Sequence, residues 1–219
     1  MLFTFDQTTR QVEIPDEFYD WSVPSQSGMM DANELLHLAA ALASYDWSLG
    51  GFVLEIGAYW GSTAVFMARV LARLGLRIPI LSIDPFERFQ PDALNPSGVF
   101  AAYNENARLA GFSDLCLPLA AFSADAAAVV ASNIGVLVID GDHHYDAVSR
   151  DFELYPPKLN AGGFLFIDDT APPYDDVLRA ATDFFAADPT YEVLTTGYFT
   201  VAQKAAPAAP KKHRKSSKK

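Results

Sequence analysis

Residues 52–64 read FVLEIGAYWGSTA: a short, mostly apolar run, a turn with glycines at 57 and 61, and the start of a stretch rich in Ala, Val and Leu. A strand that ends in a glycine turn and feeds a helix is the opening unit of an α/β domain. Such a turn lets a ligand approach the backbone, and the helix start presents free N–H groups. A dinucleotide fingerprint, G-x-G-x-x-G, would need glycine where Tyr59 stands. The frame here is G-x-x-x-G with Glu55 two residues ahead. That frame suits a ligand carrying both an amine and a carboxylate, with Glu55 facing the ammonium and the amides and hydroxyls of Ser62 and Thr63 facing the carboxylate. The alternative is that Gly57 and Gly61 only allow a helix to sit tightly on a strand.

The same alternation continues outward. PILSID (79–84), LCLPL (115–119), GVLVID (135–140) and GGFLFID (162–168) read as strands. Helices are expected over 62–74, 98–110 and 124–132, from the end of GVLVID to about 159, and over 174–187. YEVLTT (191–196) and YFTVAQ (198–203), separated by Gly197, form a terminal hairpin. The fold class is α/β: a doubly wound, mostly parallel, Rossmann-like sheet with a C-terminal antiparallel hairpin. Ligands of such sheets lie outside the carboxyl ends of the strands. Residues 1–49 read as an N-terminal wrap, with Pro15, Pro24 and Gly28, followed by a helix over 32–45 capped by Asp31. Residues 50–204 form the main domain.

Composition narrows the ligand. The chain has 219 residues and a formal charge of −11, and residues 205–219 hold six of the 16 Lys/Arg and none of the 27 Asp/Glu. The body is therefore strongly acidic, which argues against a phosphate backbone as its ligand and for a small molecule. The tail, AAPAAPKKHRKSSKK, has no apolar periodicity and reads as a disordered basic arm whose partner the sequence does not name. The lone Cys116, the absence of an apolar run long enough to span a membrane, and a start without secretory character together lead to the expectation of a cytoplasmic protein.

The second strand ends in Asp84, placed to accept both hydroxyls of a ribose, and Phe86 beside it can cover an adenine edge. The alternative is a carboxylate that caps the next turn. With the glycine turn, the two sites describe an adenosine joined to an amino acid, which is S-adenosylmethionine. Asp140 ends the fourth strand, and Asp168 and Asp169 end the fifth. Neighbouring strands bring three carboxylates to one edge, where a hard divalent cation, Mg²⁺ foremost, relieves their repulsion. Against this stands the reading that Asp142, Asp168 and Asp169 cap helices or bind loop amides. Asp140 counts with both the cofactor and the metal residues.

EIGAYWGSTAVFMARVL resembles the first motif of the class I methyltransferases, in the form found in the catechol and caffeoyl-coenzyme A O-methyltransferase group. IDGDHHYDAVSRDFELYPPKLNAGGFLFIDDT, residues 139–170, is similar to the bacterial family of macrocin and mycinamicin sugar O-methyltransferases and cephalosporin hydroxylase-like proteins. The resemblance implies S-adenosylmethionine as methyl donor and a divalent metal at Asp140, Asp168 and Asp169, where many catechol-group relatives have Asn in place of Asp169. It also implies His143 as general base, which imidazole titration near neutral pH permits. Relatives place an acid and a serine against the adenine, so Ser123 joins the cofactor residues, while Phe122 stands where the acid is usual. The expected activity is methyl transfer to a hydroxyl of a sugar diol, catechol or similar acceptor. Two other readings are an oxidoreductase of the hydroxylase-like kind and a cofactor-binding module without turnover. Relatives are often dimers, so a homodimer is expected on the same footing.

Overall fold

The structure is a computed structural model and describes residues 1–18, 30–86 and 96–206. Pro24, Gly28, most of the loop that follows Asp84, and residues 207–219 of the basic tail lie outside the described residues. The chain runs β1 (Leu2–Thr4), β2 (Gln11–Glu13), α1 (Ala32–Ser44), β3 (Phe52–Ile56), α2 (Ser62–Arg73), β4 (Ile80–Asp84), α3 (Pro96–Ala110) and β5 (Cys116–Ala120). It continues with α4 (Ser123–Ala126), β6 (Ile134–Ile139), α5 (Tyr145–Leu154), β7 (Leu159–Ile167), α6 (Asp175–Ala187), β8 (Tyr191–Thr195) and β9 (Thr200–Lys204).

Seven strands form one sheet in the order β5-β4-β3-β6-β7-β9-β8. The first five are parallel, and β9 and β8 close the edge antiparallel. Strand order reverses between β3 and β6, which places the binding crevice of a doubly wound sheet beside the glycine turn. All six residues of β6 are buried. Val136 and Val138 enter the layer under α1, α2 and α3, while Leu137 and Ile139 enter the layer under α5 and α6. This alternation explains why the strand reads as a continuous apolar run: both faces are covered by helices. Each such side chain contributes roughly 1.5–3 kcal/mol by leaving water.

The N-terminal segment belongs to the same core. β1 and β2 pair antiparallel, and Phe5, Ile14 and Phe18 are buried with Leu38 of α1 and Phe164 of β7. Asp31 caps α1, its carboxylate accepting the N–H groups of Asn33 and Glu34 at 2.7 and 2.9 Å.

Some expected boundaries move. The helix after β6 stops at Leu154, because Pro156 and Pro157 withhold the N–H groups that would continue it and start a short 3-10 turn, Pro156–Lys158. Leu159 accordingly opens β7 instead of closing a helix. The helix expected over 124–132 is the single turn Ser123–Ala126. His143 and His144 both precede α5, with His144 at its N-cap in extended conformation, so the two imidazoles are not successive positions on a helix.

Candidate functional site

The glycine turn is built by close approach. Gly57 has φ of 87°, and a Cβ there would lie 1.7 Å from the carbonyl oxygen of Asp140. Gly61 has φ of 77°, and a Cβ on it would meet the Tyr103 ring at 2.5 Å. Both positions therefore exclude side chains, one because β6 passes behind the turn and the other because α3 does. Gly61 caps α2 without a side-chain hydrogen bond, so the positive dipole end of α2 begins at the glycine turn.

Asp84 binds the turn itself. One carboxylate oxygen accepts the N–H groups of Ala58 and Tyr59 at 2.9 and 2.8 Å, and the other accepts the N–H of Phe86 at 2.5 Å. Three backbone donors on one carboxylate leave a single lone-pair direction for a further partner. Phe86, with φ of 52°, is 2% exposed and packs edge-on against Phe100 and Tyr103. Its ring belongs to the core. Tyr59, with φ of 44°, stacks on Trp60 with ring centroids 4.6 Å apart and is partly exposed.

Glu55 lies behind the turn. It is 1% exposed, one carboxyl oxygen accepts the Ser82 hydroxyl at 2.5 Å, and Ser82 accepts from the Tyr103 hydroxyl at 2.9 Å. The other oxygen, Oε1, is buried without a partner. Burial, opposed by the Ser82 bond, pushes its pKa up to about 8. Ser123 lies beside Asp151 of α5, and its carbonyl accepts the Tyr155 hydroxyl. Phe122 beside it is exposed.

The second group of residues stands where β6 and β7 end. Backbone bonds from Asp140 to Ile56 and from Asp168 to Ile139, at 2.8 and 3.0 Å, lock the ends of β3, β6 and β7 together. One side-chain donor atom each from Asp140, His143 and Asp169 falls within 4.8 Å of the others. His143 Nε2 is 2.9 Å from Asp169 Oδ2, and its ring lies 4.4 Å from that of Tyr174. Asp169 has φ of 57° and lies beside Tyr198, in the turn between β8 and β9, whose hydroxyl it holds above the ordinary tyrosine range. Asp168, 7% exposed, is not part of this three-residue group: it accepts the Asp169 N–H at 3.0 Å and lies beside Glu34 of α1.

Like charges out of water set the electrostatics. Burial first, then Asp168 and Asp169, holds Asp140 well above the usual carboxylate range. Burial, then Glu34 and Asp169, raises Asp168 to about 8. Burial likewise raises Glu34. These raised values mark a site short of positive charge, and a donor set of carboxylates with one imidazole fits a hard divalent cation. The two remaining histidines among the described residues are elsewhere. His144 is 86% exposed and paired with Asp142, and His37 is buried among Phe3, Phe5 and Phe199.

Sequence reasoning thus found Asp140, His143, Asp168 and Asp169 at one edge, and it missed Glu34 and Tyr198. Glu34 stands three residues after Asp31, a spacing fully explained by a helix cap. Tyr198 reaches the site only because the antiparallel edge folds back on β7.

A doubly wound sheet with a glycine cradle at the switch point and a carboxylate cluster on the adjoining strand ends defines a Rossmann-like α/β class. Residues 54–170 match the family described as a methyltransferase domain, and the chain belongs to that family. Among solved structures, the fold is similar to a Corynebacterium glutamicum protein at 16% identity, covering 89% of each chain with a TM-score of 0.65. It is also similar to the O-methyltransferase NovP, at 17% identity over 92% of this chain and 91% of that one, TM-score 0.62. A Bacillus cereus O-methyltransferase in complex with SAH matches at 15% identity over 87% and 91%, TM-score 0.59. In sequence, 38 residues are 47% identical to the uncharacterized protein R132 of Acanthamoeba polyphaga mimivirus, spanning 17% of this chain and 17% of that protein. No helix among the described residues is long and apolar enough to cross a membrane.

Proposed function

We propose that the chain transfers the methyl group of S-adenosylmethionine to a hydroxyl of a small molecule, with divalent-metal assistance. The observation that carries this reading is the contact of the two sites: the glycine turn touches the backbone of Asp140, the same residue whose side chain joins His143 and Asp169. S-adenosylmethionine supplies an electrophilic methyl on a cationic sulfur, and a divalent cation that Asp140 and Asp169 would hold, with Asp168 beside them, would supply Lewis acidity that makes the acceptor hydroxyl easier to ionise.

The protein's part is to place and to take a proton. Gly57 and Gly61 leave room for the amino-acid end of the donor, and the first amides of α2 with the hydroxyls of Ser62 and Thr63 bind its carboxylate. Glu55 Oε1 is the acceptor for the ammonium side, and the remaining lone-pair direction of Asp84 takes a ribose hydroxyl. Ser123 is assigned to the adenine end, with the exposed Phe122 beside it in the chain. With its Nε2 hydrogen donated to Asp169, His143 carries its lone pair on Nδ1, the atom that accepts the acceptor's proton. Alignment of donor and acceptor lowers the barrier by several kcal/mol, about 7 or more in favourable cases. Acceptors that chelate through two neighbouring oxygens, a sugar diol or a catechol, match a cation bound beside the methyl donor.

The oxidoreductase reading asks for two histidines and one carboxylate at an iron site. Only His143 reaches this cluster among the described residues, and the single-imidazole set favours methyl transfer. Assay of labelled methyl transfer to catechol and to vicinal sugar diols tests the proposal. Excess EDTA is expected to abolish turnover, Mg²⁺ or Mn²⁺ to restore it, and Asp140→Ala to reproduce the loss at about a hundredfold or more. Full turnover in the chelator would remove the metal from the mechanism.

A further inference from the structure

Two buried hydroxyls behind the glycine turn have no part in the chemistry proposed above. Tyr103 of α3 donates its hydroxyl to Ser82 of β4 at 2.9 Å, and Ser82 donates to Glu55 Oε2 at 2.5 Å. The pairing of β3 with β4 sets Ser82 opposite Glu55, and both Ser82 and Tyr103 are fully buried. Each hydroxyl has one proton to donate, and both are directed toward Glu55. The chain therefore ends on a carboxyl whose second oxygen, Oε1, is buried without a partner. Three polar side chains in a row inside a core gain little over well-packed apolar ones for stability alone, and an unpaired oxygen at the end adds a cost.

Tyr103 is itself fixed against the turn. Its ring lies 2.5 Å from where a Cβ on Gly61 would stand, and Phe86 packs on it edge-on with ring centroids 5.7 Å apart. Further along α3, the Asn106 side-chain amide donates to the carbonyl of Trp60 at 2.9 Å, so the same helix meets the turn at two places. The last torsion of a glutamate is broad, and its carboxyl takes a fixed orientation only where a partner holds one oxygen. We infer that Ser82 and Tyr103 are positioning residues for the methyl donor: their hydroxyls hold Glu55 Oε2 so that Oε1 stays turned to the ammonium of the amino-acid end. The inference rests on the reading of the glycine turn as the S-adenosylmethionine seat with Glu55 at the ammonium.

Calorimetric titration of the full chain in EDTA with two ligands, S-adenosylhomocysteine and 5′-methylthioadenosine, tests this, because the second keeps the adenosine and the sulfur and lacks the amino-acid end. Ser82→Ala removes the donor to Glu55 and is expected to weaken S-adenosylhomocysteine binding about tenfold or more, as for a hydrogen bond to a charged group. Tyr103→Phe keeps the ring against Gly61, removes only the hydroxyl, and is expected to weaken it about threefold, since it acts one bond further away. Methylthioadenosine affinity is expected to stay within about twofold of wild type in both variants. Glu55→Gln is expected to lose at least as much S-adenosylhomocysteine affinity as Ser82→Ala. Adding Ser82→Ala to Glu55→Gln should change that affinity by less than about twofold, because both substitutions act on one contact.

Wild-type S-adenosylhomocysteine affinity in Ser82→Ala and Tyr103→Phe would overturn the inference, and a loss in Ser82→Ala alone would overturn it for Tyr103. A parallel loss for the two ligands would overturn it as well, because the hydroxyls would then only support the fold of the turn. Where Ser82→Ala does not fold, Tyr103→Phe gives the same contrast between the ligands. Unchanged affinity in Glu55→Gln removes Glu55 from the ammonium, and absence of binding of either ligand to the wild-type chain removes the cofactor seat itself. Both results are distinct from wild-type binding that ignores Ser82 and Tyr103.

Discussion

The glycine turn after β3 and the carboxylate edge after β6 and β7 are in contact through the backbone of Asp140, yet opposite physics holds them. At the turn, the Asp84 carboxylate is covered by three backbone N–H groups, and close approach fixes Gly57 and Gly61. At the edge, four acids, Glu34, Asp140, Asp168 and Asp169, share a small region with one nearby imidazole, and burial raises three of them. The turn is satisfied by its own chain. The edge reaches electrostatic balance only with added protons or an added cation. A binding surface can thus be rigid before its ligand arrives on one side and depend on its ligand on the other.

The comparison is broken most severely at Gly57. A Cβ at this position would lie 1.7 Å from the Asp140 carbonyl, and a left-handed backbone adds strain on top of the clash. Gly57→Ala is expected to cost about 3 kcal/mol or more. A chain of this size then melts lower by roughly 2–4 °C per kcal/mol. An unchanged Tm would mean that the turn and β6 are looser than the structure shows.

A smaller effect separates the two regions by pH. Glu55, behind the turn, has its pKa raised from the ordinary 4.5 to about 8 by burial. The folded state therefore holds a proton that the unfolded chain releases, so this contribution is complete below about pH 4.5 and is lost as pH rises through about 8. Asp168, also raised to about 8, acts in the same direction from the other region. In EDTA, Tm is expected to fall between pH 6 and pH 9. Glu55→Gln, with no proton to lose, should flatten that fall in part while leaving the share that belongs to the carboxylate edge. An identical pH profile in the variant would show that Glu55 is not protonated in the native state.

What the sequence reveals follows the same division. β3, β4, β6 and the C-terminal hairpin are legible to within a residue or two, because both-face burial writes unbroken apolar runs and Gly197 marks the hairpin turn. The acids at 140, 168 and 169 are legible because adjacent parallel strands end side by side. Contacts made across layers are not. Phe86 reads as an aromatic beside a ligand, but its left-handed backbone turns it onto Tyr103. Glu55 reads from sequence as a ligand of the turn alone, but the pairing of β3 with β4 also sets its other oxygen on Ser82, which the sequence does not reveal. Glu34 comes to lie beside Asp168 from α1, more than a hundred residues earlier in the chain, and its cap spacing accounts for it locally.

The central claim, that the glycine turn is a seat for S-adenosylmethionine, is tested most directly by calorimetric titration of the full chain with S-adenosylhomocysteine in EDTA. The account predicts one saturable site per chain with a micromolar Kd, about −8 kcal/mol, formed without metal because the turn is complete in itself. No binding at millimolar S-adenosylhomocysteine, with or without Mn²⁺, would contradict it.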